Sequence, residues 1–129
     1  MSAPNSVGLL LSDDMMFTSR ITGTARDLGL AIKPARSIEA LTALLQQLPP
    51  ACIIVDLAHP GLQIGEFMNG LRSSCAPMPR VVAYGSHVDT ATLRAAKDAG
   101  CDIVLPRSKF VEELPRELPQ WLADPGESR

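Results

Sequence analysis

Five short apolar runs, separated by segments with helical periodicity, recur along this chain of 129 residues. The third run, Cys52 to Val55, ends abruptly at Asp56 and is followed by a Pro-Gly turn at 60–61. A run this short and this rich in β-branched residues is typical of a strand buried on both faces. The other four predicted strands are Val7–Leu11, Leu30–Ile32, Val81–Tyr84 and Ile103–Leu105.

Apolar residues at helical spacing predict a helix after each strand. Gly29 and Gly100 are placed to stop two of them, and Ser37 and Asp89 are placed to cap two. Apolar residues in 108–122 predict a last helical segment, but Pro115 is expected in a first turn, which indicates two short helices or one kinked helix. The helical segments are 15–28, 38–48, 64–71, 89–99 and 108–122.

Strands that alternate with helices predict an α/β fold with right-handed crossovers and a parallel sheet covered on both faces. For five strands we expect the doubly wound, flavodoxin-like order 2-1-3-4-5. The domain is expected to cover 7–122, with disordered segments at 1–6 and 123–129.

Composition favours a soluble, cytoplasmic protein, because no apolar run approaches the length of a membrane helix and the N-terminus lacks the pattern of a secretory signal. The net charge of −2 and scattered Lys and Arg provide no basic stripe for nucleic acid. Cys52, Cys75 and Cys101 show no paired spacing, so reduced, buried thiols are expected.

Parallel strands bring polar residues from distant parts of the chain to one edge of the sheet, the rim at the carboxyl ends of the strands. We expect Asp13, Asp14, Asp56, Ser86 and Arg107 to meet there. Three neighbouring carboxylates repel one another, which predicts a bound cation. An all-oxygen ligand set suits Mg²⁺ better than zinc, although each acid alone is also explained as a turn or helix cap.

The chain resembles the receiver domains of two-component response regulators. The resemblance rests on LLLSDD at 9–14, on IIVDLAHPG at 53–61 and on the Ala-Gly pair at 99–100 before the fifth strand. It covers roughly 7–122.

The resemblance implies that Asp56 is the phosphoacceptor. It also implies that Asp13, Asp14, Asp56 and the backbone carbonyl of Ala58 hold Mg²⁺. A Ser or Thr after the fourth strand and a Lys after the fifth contact the phosphoryl group in that family. The hydroxyl position falls on Ser86 or Gly85.

Several positions depart from that family's pattern. Arg107 stands at the lysine position, and this exchange changes the geometry of the cation. Lys109 comes two residues late, and Val104 takes the place of an aromatic residue on the fifth strand. The predicted metal and acceptor half of the site is therefore complete, whereas the half that transmits a signal is degenerate.

Two functions remain open. The first is a stand-alone receiver in which a histidine kinase or other phosphodonor protein modifies Asp56 and so changes affinity for a downstream protein partner. The second is a pseudo-receiver that signals by protein binding alone. In neither case is the chain expected to be an enzyme beyond phosphorylation and dephosphorylation of Asp56, and a homodimer is compatible with both.

Other sites are less well supported by the sequence. A haloacid-dehalogenase-like phosphatase needs an acid where Ala58 stands, and the acids at 13–14 would repel the phosphate of a flavin. His59 comes three residues after Asp56, whereas a cobalamin-binding motif places its histidine two after. His59 and His87 together lack a third ligand for a transition metal.

Overall fold

A computed structural model describes residues 6–123 as a five-stranded parallel sheet with five helices. The predicted disorder at 1–6 and 123–129 lies outside the described residues, apart from Ser6 and Ala123. The strands are β1 (Val7–Leu11), β2 (Ala31–Ala35), β3 (Cys52–Asp56), β4 (Arg80–Gly85) and β5 (Ile103–Pro106). The helices are α1 (Met15–Asp27), α2 (Ile38–Gln47), α3 (Ile64–Ser74), α4 (Thr90–Asp98) and α5 (Arg107–Trp121).

The strand order is β2-β1-β3-β4-β5, and all four neighbouring pairs are parallel. The predicted winding and fold class are therefore confirmed. In register, Leu11 of β1 lies opposite Val55 of β3, and Asp56 lies opposite Tyr84 of β4. Because every strand runs the same way, the chain leaves all of them at one edge of the sheet.

Alternate residues of the buried strands supply two apolar layers, one on each face of the sheet. Leu9, Ile53 and Val81 face a layer completed by Leu41, Met68 and Ala96 from α2, α3 and α4. Leu10, Ile54 and Val82 face a layer completed by Ile21 of α1 and by Phe110, Leu114 and Trp121 of α5. The sheet is thus buried on both faces, which holds the rim residues on a rigid base.

The second strand is longer than the sequence predicts. Lys33 and Pro34 interrupt the apolar pattern after Ile32, yet β2 continues to Ala35 and pairs along the whole of β1. This is possible because β2 is an edge strand, where a proline removes no hydrogen bond from a neighbour on its open side.

The last helix is a single element, so the alternative of two short helices is wrong. α5 is one continuous helix of 15 residues, and Pro115 lies near its middle instead of in a first turn. Pro115 and Pro119 both lie on the exposed side of the helix, where water can bond the carbonyls that lose a partner. The opposite side buries Phe110, Leu114, Leu118 and Trp121, and this burial holds the helix together.

The three cysteines are free thiols. Burial raises the pKa of Cys52 to about 12 and that of Cys101 to about 11, so both are neutral thiols that pack in the core. Cys75 is half-buried, and burial also raises its pKa. None of the five helices between residues 6 and 123 combines the length and apolar character needed to span a bilayer.

Candidate functional site

Asp56 is the last residue of β3, and it lies at the carboxyl edge of the sheet between β1 and β4. Continuing the register of Leu11 with Val55 by one residue brings Ser12 beside it. Asp56 and Ser12 are 3% and 1% exposed, respectively. The buried polar centre of the rim is therefore a carboxylate next to a hydroxyl.

Both oxygens of the Asp56 carboxylate have partners within the protein. The backbone N–H of Ala58 donates to Oδ1 at 2.9 Å, and the Ser12 hydroxyl donates to Oδ2 over a long 3.5 Å. Ser12 Oγ in turn accepts from the backbone N–H of Asp14 at 3.1 Å. A carboxylate this buried needs such partners, because an unpaired charge in the interior is costly.

Arg107 supplies the positive charge at this site. Its Nη2 lies 3.9 Å from Asp56 Oδ1, and its side chain is 41% exposed, compared with 4% for the aspartate. The guanidinium carbon also lies 5.6 Å from the centre of the Phe17 ring, which is a cation–π distance. Lys109, the nearby alternative, pairs with Glu113 at 3.4 Å along α5.

The two acids after β1 are both exposed, and the structure assigns Asp14 a definite role in the backbone. Asp14 is the N-cap of α1, and its Oδ1 accepts from the backbone N–H of Phe17 at 2.9 Å. Such a cap satisfies one of the helix's free N–H groups and favours negative charge at the helix N-terminus. Asp14 therefore has the capping role that the sequence offered as the simpler explanation.

The expected cluster of three carboxylates does not form. Within residues 6–123, no three His, Cys, Asp or Glu side chains lie close enough together to hold a metal ion. The physical reason is that Ser12 lies beside Asp56, while the Asp14 carboxylate caps α1. The assignment of Asp13, Asp14, Asp56 and the Ala58 carbonyl as Mg²⁺ ligands stays a prediction.

In the β3–β4 register, the residue directly opposite Asp56 is Tyr84. It is neither Ser86 nor Gly85. Ser86 lies two residues further along, half-buried, and its hydroxyl accepts from the backbone N–H of Val88 at 3.4 Å. Ser86 and Arg107 nevertheless line the same open groove of about 670 Å³, together with Asp14, Phe17 and His87. Of the predicted rim residues, Asp14, Ser86 and Arg107 thus share this groove, whereas Asp13 and Asp56 are not among its lining residues.

The Tyr84 ring is fully buried, and its hydroxyl has no hydrogen-bond partner in the described part of the chain. Burial raises the pKa of this phenol, and the negative charge of Asp56 adds to the rise. The nearby Ser12 hydroxyl opposes the rise without reaching hydrogen-bonding geometry. Tyr84 is therefore a neutral phenol that fills the space beside Asp56.

An aromatic stack runs from the rim to the far end of α5. Tyr84 contacts Phe17 at a centroid distance of 4.9 Å and Phe110 at 4.5 Å. Phe110 then stacks on Trp121 at 5.7 Å. Centroid distances of this size are typical of favourable aromatic pairs.

His59 is a structural residue. Its Nε2 lies 2.7 Å from the carbonyl of Arg36, and its Nδ1 accepts from the backbone N–H of Gly61 at 3.1 Å. With both ring nitrogens engaged, His59 ties the turn after β3 to the segment after β2. His87 is exposed in the groove, so the two histidines have different environments.

Sequence reasoning missed Ser12 and Tyr84 as neighbours of Asp56. Both positions follow from the pairing of neighbouring strands. For Ser12, Leu11 pairs with Val55, so the residue that follows β1 lies beside Asp56, the next residue on β3. In the sequence, Tyr84 is marked only as the end of an apolar run. Phe17 gave no signal beyond its helical spacing.

Solved structures share this fold. A signal receiver domain of a response regulator from Bermanella marisrubri aligns with a TM-score of 0.79 and 21% identity, over 91% of this chain and 98% of that one. The receiver domain of NtrX from Brucella abortus aligns with a TM-score of 0.76 and 16% identity, over 89% and 97%. The chemotaxis response regulator CheY4 of Vibrio cholerae aligns with a TM-score of 0.75 and 19% identity, also over 89% and 97%.

By sequence, the chain matches no family model and no curated protein. The likeness therefore lies in the three-dimensional arrangement. Over about 90% of its length, the chain has the fold of response regulator receiver domains.

Proposed function

We propose that this chain is a receiver-like signalling domain that acts by binding a protein partner, without phosphorylation of Asp56. The observation that carries the proposal is the environment of that carboxylate. Its side chain is 4% exposed, Oδ1 accepts from the Ala58 N–H, and Arg107 lies 3.9 Å away. These contacts favour a fixed charge pair over a free nucleophile.

Phosphoryl transfer to a carboxylate depends on positioning and on neutralising the charge of the phosphoryl oxygens. In this rim a serine stands beside Asp56, and one guanidinium is its charged partner among the described residues. A buried phenol fills the position opposite Asp56. This combination supports a domain that keeps the fold and has lost the chemistry.

The second candidate is a phosphoacceptor receiver, in which a histidine kinase or other phosphodonor protein modifies Asp56. It is favoured by the position of Asp56 at the carboxyl end of β3 and by the groove that Ser86 and Arg107 line. It requires Mg²⁺ bound by the acids and by the Ala58 carbonyl, although no three His, Cys, Asp or Glu side chains within residues 6–123 lie close enough together to hold a metal ion. In both candidates the output is a changed affinity for a downstream protein, and the chain itself is not an enzyme.

Incubation with acetyl phosphate and MgCl₂, followed by intact mass measurement, separates the two candidates. We expect wild type to gain no phosphoryl group under conditions that modify an ordinary receiver domain in the same tube. Asp56→Asn is the matched control, since it removes the nucleophile and keeps the shape. A gain of one phosphoryl group in wild type that is lost in Asp56→Asn establishes the phosphoacceptor instead.

A further inference from the structure

We infer that Arg107 is the permanent counter-ion of Asp56 at this rim. It neutralises the carboxylate in the role that a bound divalent metal ion would have if the neighbouring side chains were also carboxylates. The inference deepens the proposed function and rests on it. It assigns the rim a permanent charge state that does not depend on Mg²⁺. It also makes Arg107 the residue that decides whether the rim accepts a metal.

The first step is the charge of Asp56. A carboxylate that is 3% exposed requires a counter-charge or a full set of hydrogen bonds. The hydrogen bonds here come from one backbone N–H and from a hydroxyl at a long 3.5 Å. Among residues 6–123, Arg107 is the single ion-pair partner of Asp56.

The second step is the position of Arg107, which is the first residue of α5. A cation at a helix N-terminus is unfavourable, because the exposed backbone N–H groups already carry partial positive charge. α5 also has no side-chain cap at Pro106 to offset this charge. Asp56 provides the compensation from the end of β3, and the Phe17 ring lies at a cation–π distance of 5.6 Å from the guanidinium carbon.

The third step is the shortage of carboxylates for a metal. Asp14 caps α1, and Ser12 lies where a second buried acid would be needed beside Asp56. A divalent ion entering here would find no group of three His, Cys, Asp or Glu side chains within residues 6–123, and the charge of Asp56 is already balanced by a guanidinium. Repulsion by Arg107 would then oppose the attraction of Asp56.

The experiment measures melting temperature in MgCl₂ and in NaCl of equal ionic strength, for wild type and Arg107→Ala. We expect equal melting in the two salts for wild type. For Arg107→Ala we expect Mg²⁺ to raise the melting temperature by about 2–4 °C, because Asp56 then lacks a counter-charge. Arg116→Ala is the matched control, since Arg116 lies on the same helix and pairs with Glu117 instead.

Manganese binding, followed by the loss of the free Mn²⁺ resonance signal, gives a second readout that does not depend on melting. A double variant, Ser12→Asp with Arg107→Ala, is expected to bind one Mn²⁺, whereas wild type binds none. Binding by wild type that is lost in Asp56→Asn would overturn the inference. Identical metal responses in wild type, Arg107→Ala and the double variant would overturn it as well.

The two proposals fail separately. A wild-type chain that binds no metal but becomes phosphorylated on Asp56 would end the proposed function and leave Arg107 as the cation. A wild-type chain that binds Mg²⁺ at Asp56 but is not phosphorylated would end the inference about Arg107 and leave the proposed function standing.

Discussion

Asp56 and Tyr84 lie opposite each other on β3 and β4, so a buried carboxylate and a buried phenol share the carboxyl edge of the sheet. The backbone N–H of Leu57 donates to the Tyr84 carbonyl at 2.9 Å and extends the pairing of the two strands beyond Asp56. Within residues 6–123, neither the Tyr84 hydroxyl nor the buried Nε of Arg107 has a hydrogen-bond partner. The site thus carries two unsatisfied polar groups near the buried charge of Asp56.

Tyr84→Phe is expected to stabilise the protein. The substitution removes a buried hydroxyl without a hydrogen bond and keeps the ring that stacks on Phe110, so we expect a gain of about 1 kcal/mol in the free energy of unfolding. Urea denaturation at neutral pH measures the change. Tyr84→Leu is the control and should destabilise, because it removes the aromatic contacts as well. A loss of stability in Tyr84→Phe would indicate that the hydroxyl has a partner in solution.

The same phenol predicts a response to alkaline pH. Its pKa is raised in the folded protein above the unfolded value of about 10, so the folded state favours the neutral form. The contribution to stability is complete below pH 10 and declines as pH rises above it. Tyr84→Phe should therefore show a weaker loss of stability above pH 10 than wild type, as measured by urea denaturation. Parallel pH profiles would contradict this.

Asp14 is expected to act through its helix cap. Asp14→Ala removes the oxygen that accepts from the Phe17 N–H and should lower the free energy of unfolding by about 1 kcal/mol. Asp14→Ser keeps a capping oxygen and should lose much less. Ser37→Ala removes the side-chain cap of α2 and serves as a control for the loss of an N-cap elsewhere in the protein. Equal losses in the two Asp14 variants would assign the effect to the negative charge instead of the cap.

Gly8 and Gly23 should respond in opposite directions to replacement by alanine. A Cβ at Gly8 would lie 2.7 Å from Leu122 Cδ2 and 3.3 Å from Ile32 Cγ1, so the packing of β1 against the end of α5 must shift. We expect Gly8→Ala to cost about 1–3 kcal/mol in a denaturant titration. Gly23 lies within α1 with no neighbour near the added atom, and Gly23→Ala should stabilise by about 0.5–1 kcal/mol. Tolerance of Gly8→Ala would mean that the Leu122 side chain rotates away freely.

The ion pair of Asp56 and Arg107 should be measurable by a double-mutant cycle. We expect a favourable coupling of about 0.5–1 kcal/mol between the two alanine substitutions, with the exposed part of Arg107 limiting the value through solvent screening. The coupling should shrink at high salt. The Lys109–Glu113 pair on α5 gives a matched comparison for an exposed ion pair. A coupling of zero at low salt would remove Arg107 as the counter-ion of Asp56.

Hydrophobic patterning in the sequence was enough to predict the fold. The β-branched runs and helical periodicities identified five strands and five helical segments, and the rules for parallel crossovers then gave the order β2-β1-β3-β4-β5. The differences fell on β2, which continues past Pro34, and on α5, which continues through Pro115 as one helix. Both prolines are tolerated because they lie at an edge strand or on an exposed helix face.

The sequence by itself determined that Asp56 ends a buried strand at the carboxyl edge of a parallel sheet, because hydrophobic burial depends on periodicity that can be read along the chain. Only the tertiary structure decided which side chains surround it. Ser12 and Tyr84 are its neighbours through strand register, whereas the carboxylate of Asp14 is turned to the helix it caps. A shift of one residue in register or one cap hydrogen bond changes those contacts without altering the apolar pattern, so they cannot be read from the pattern alone.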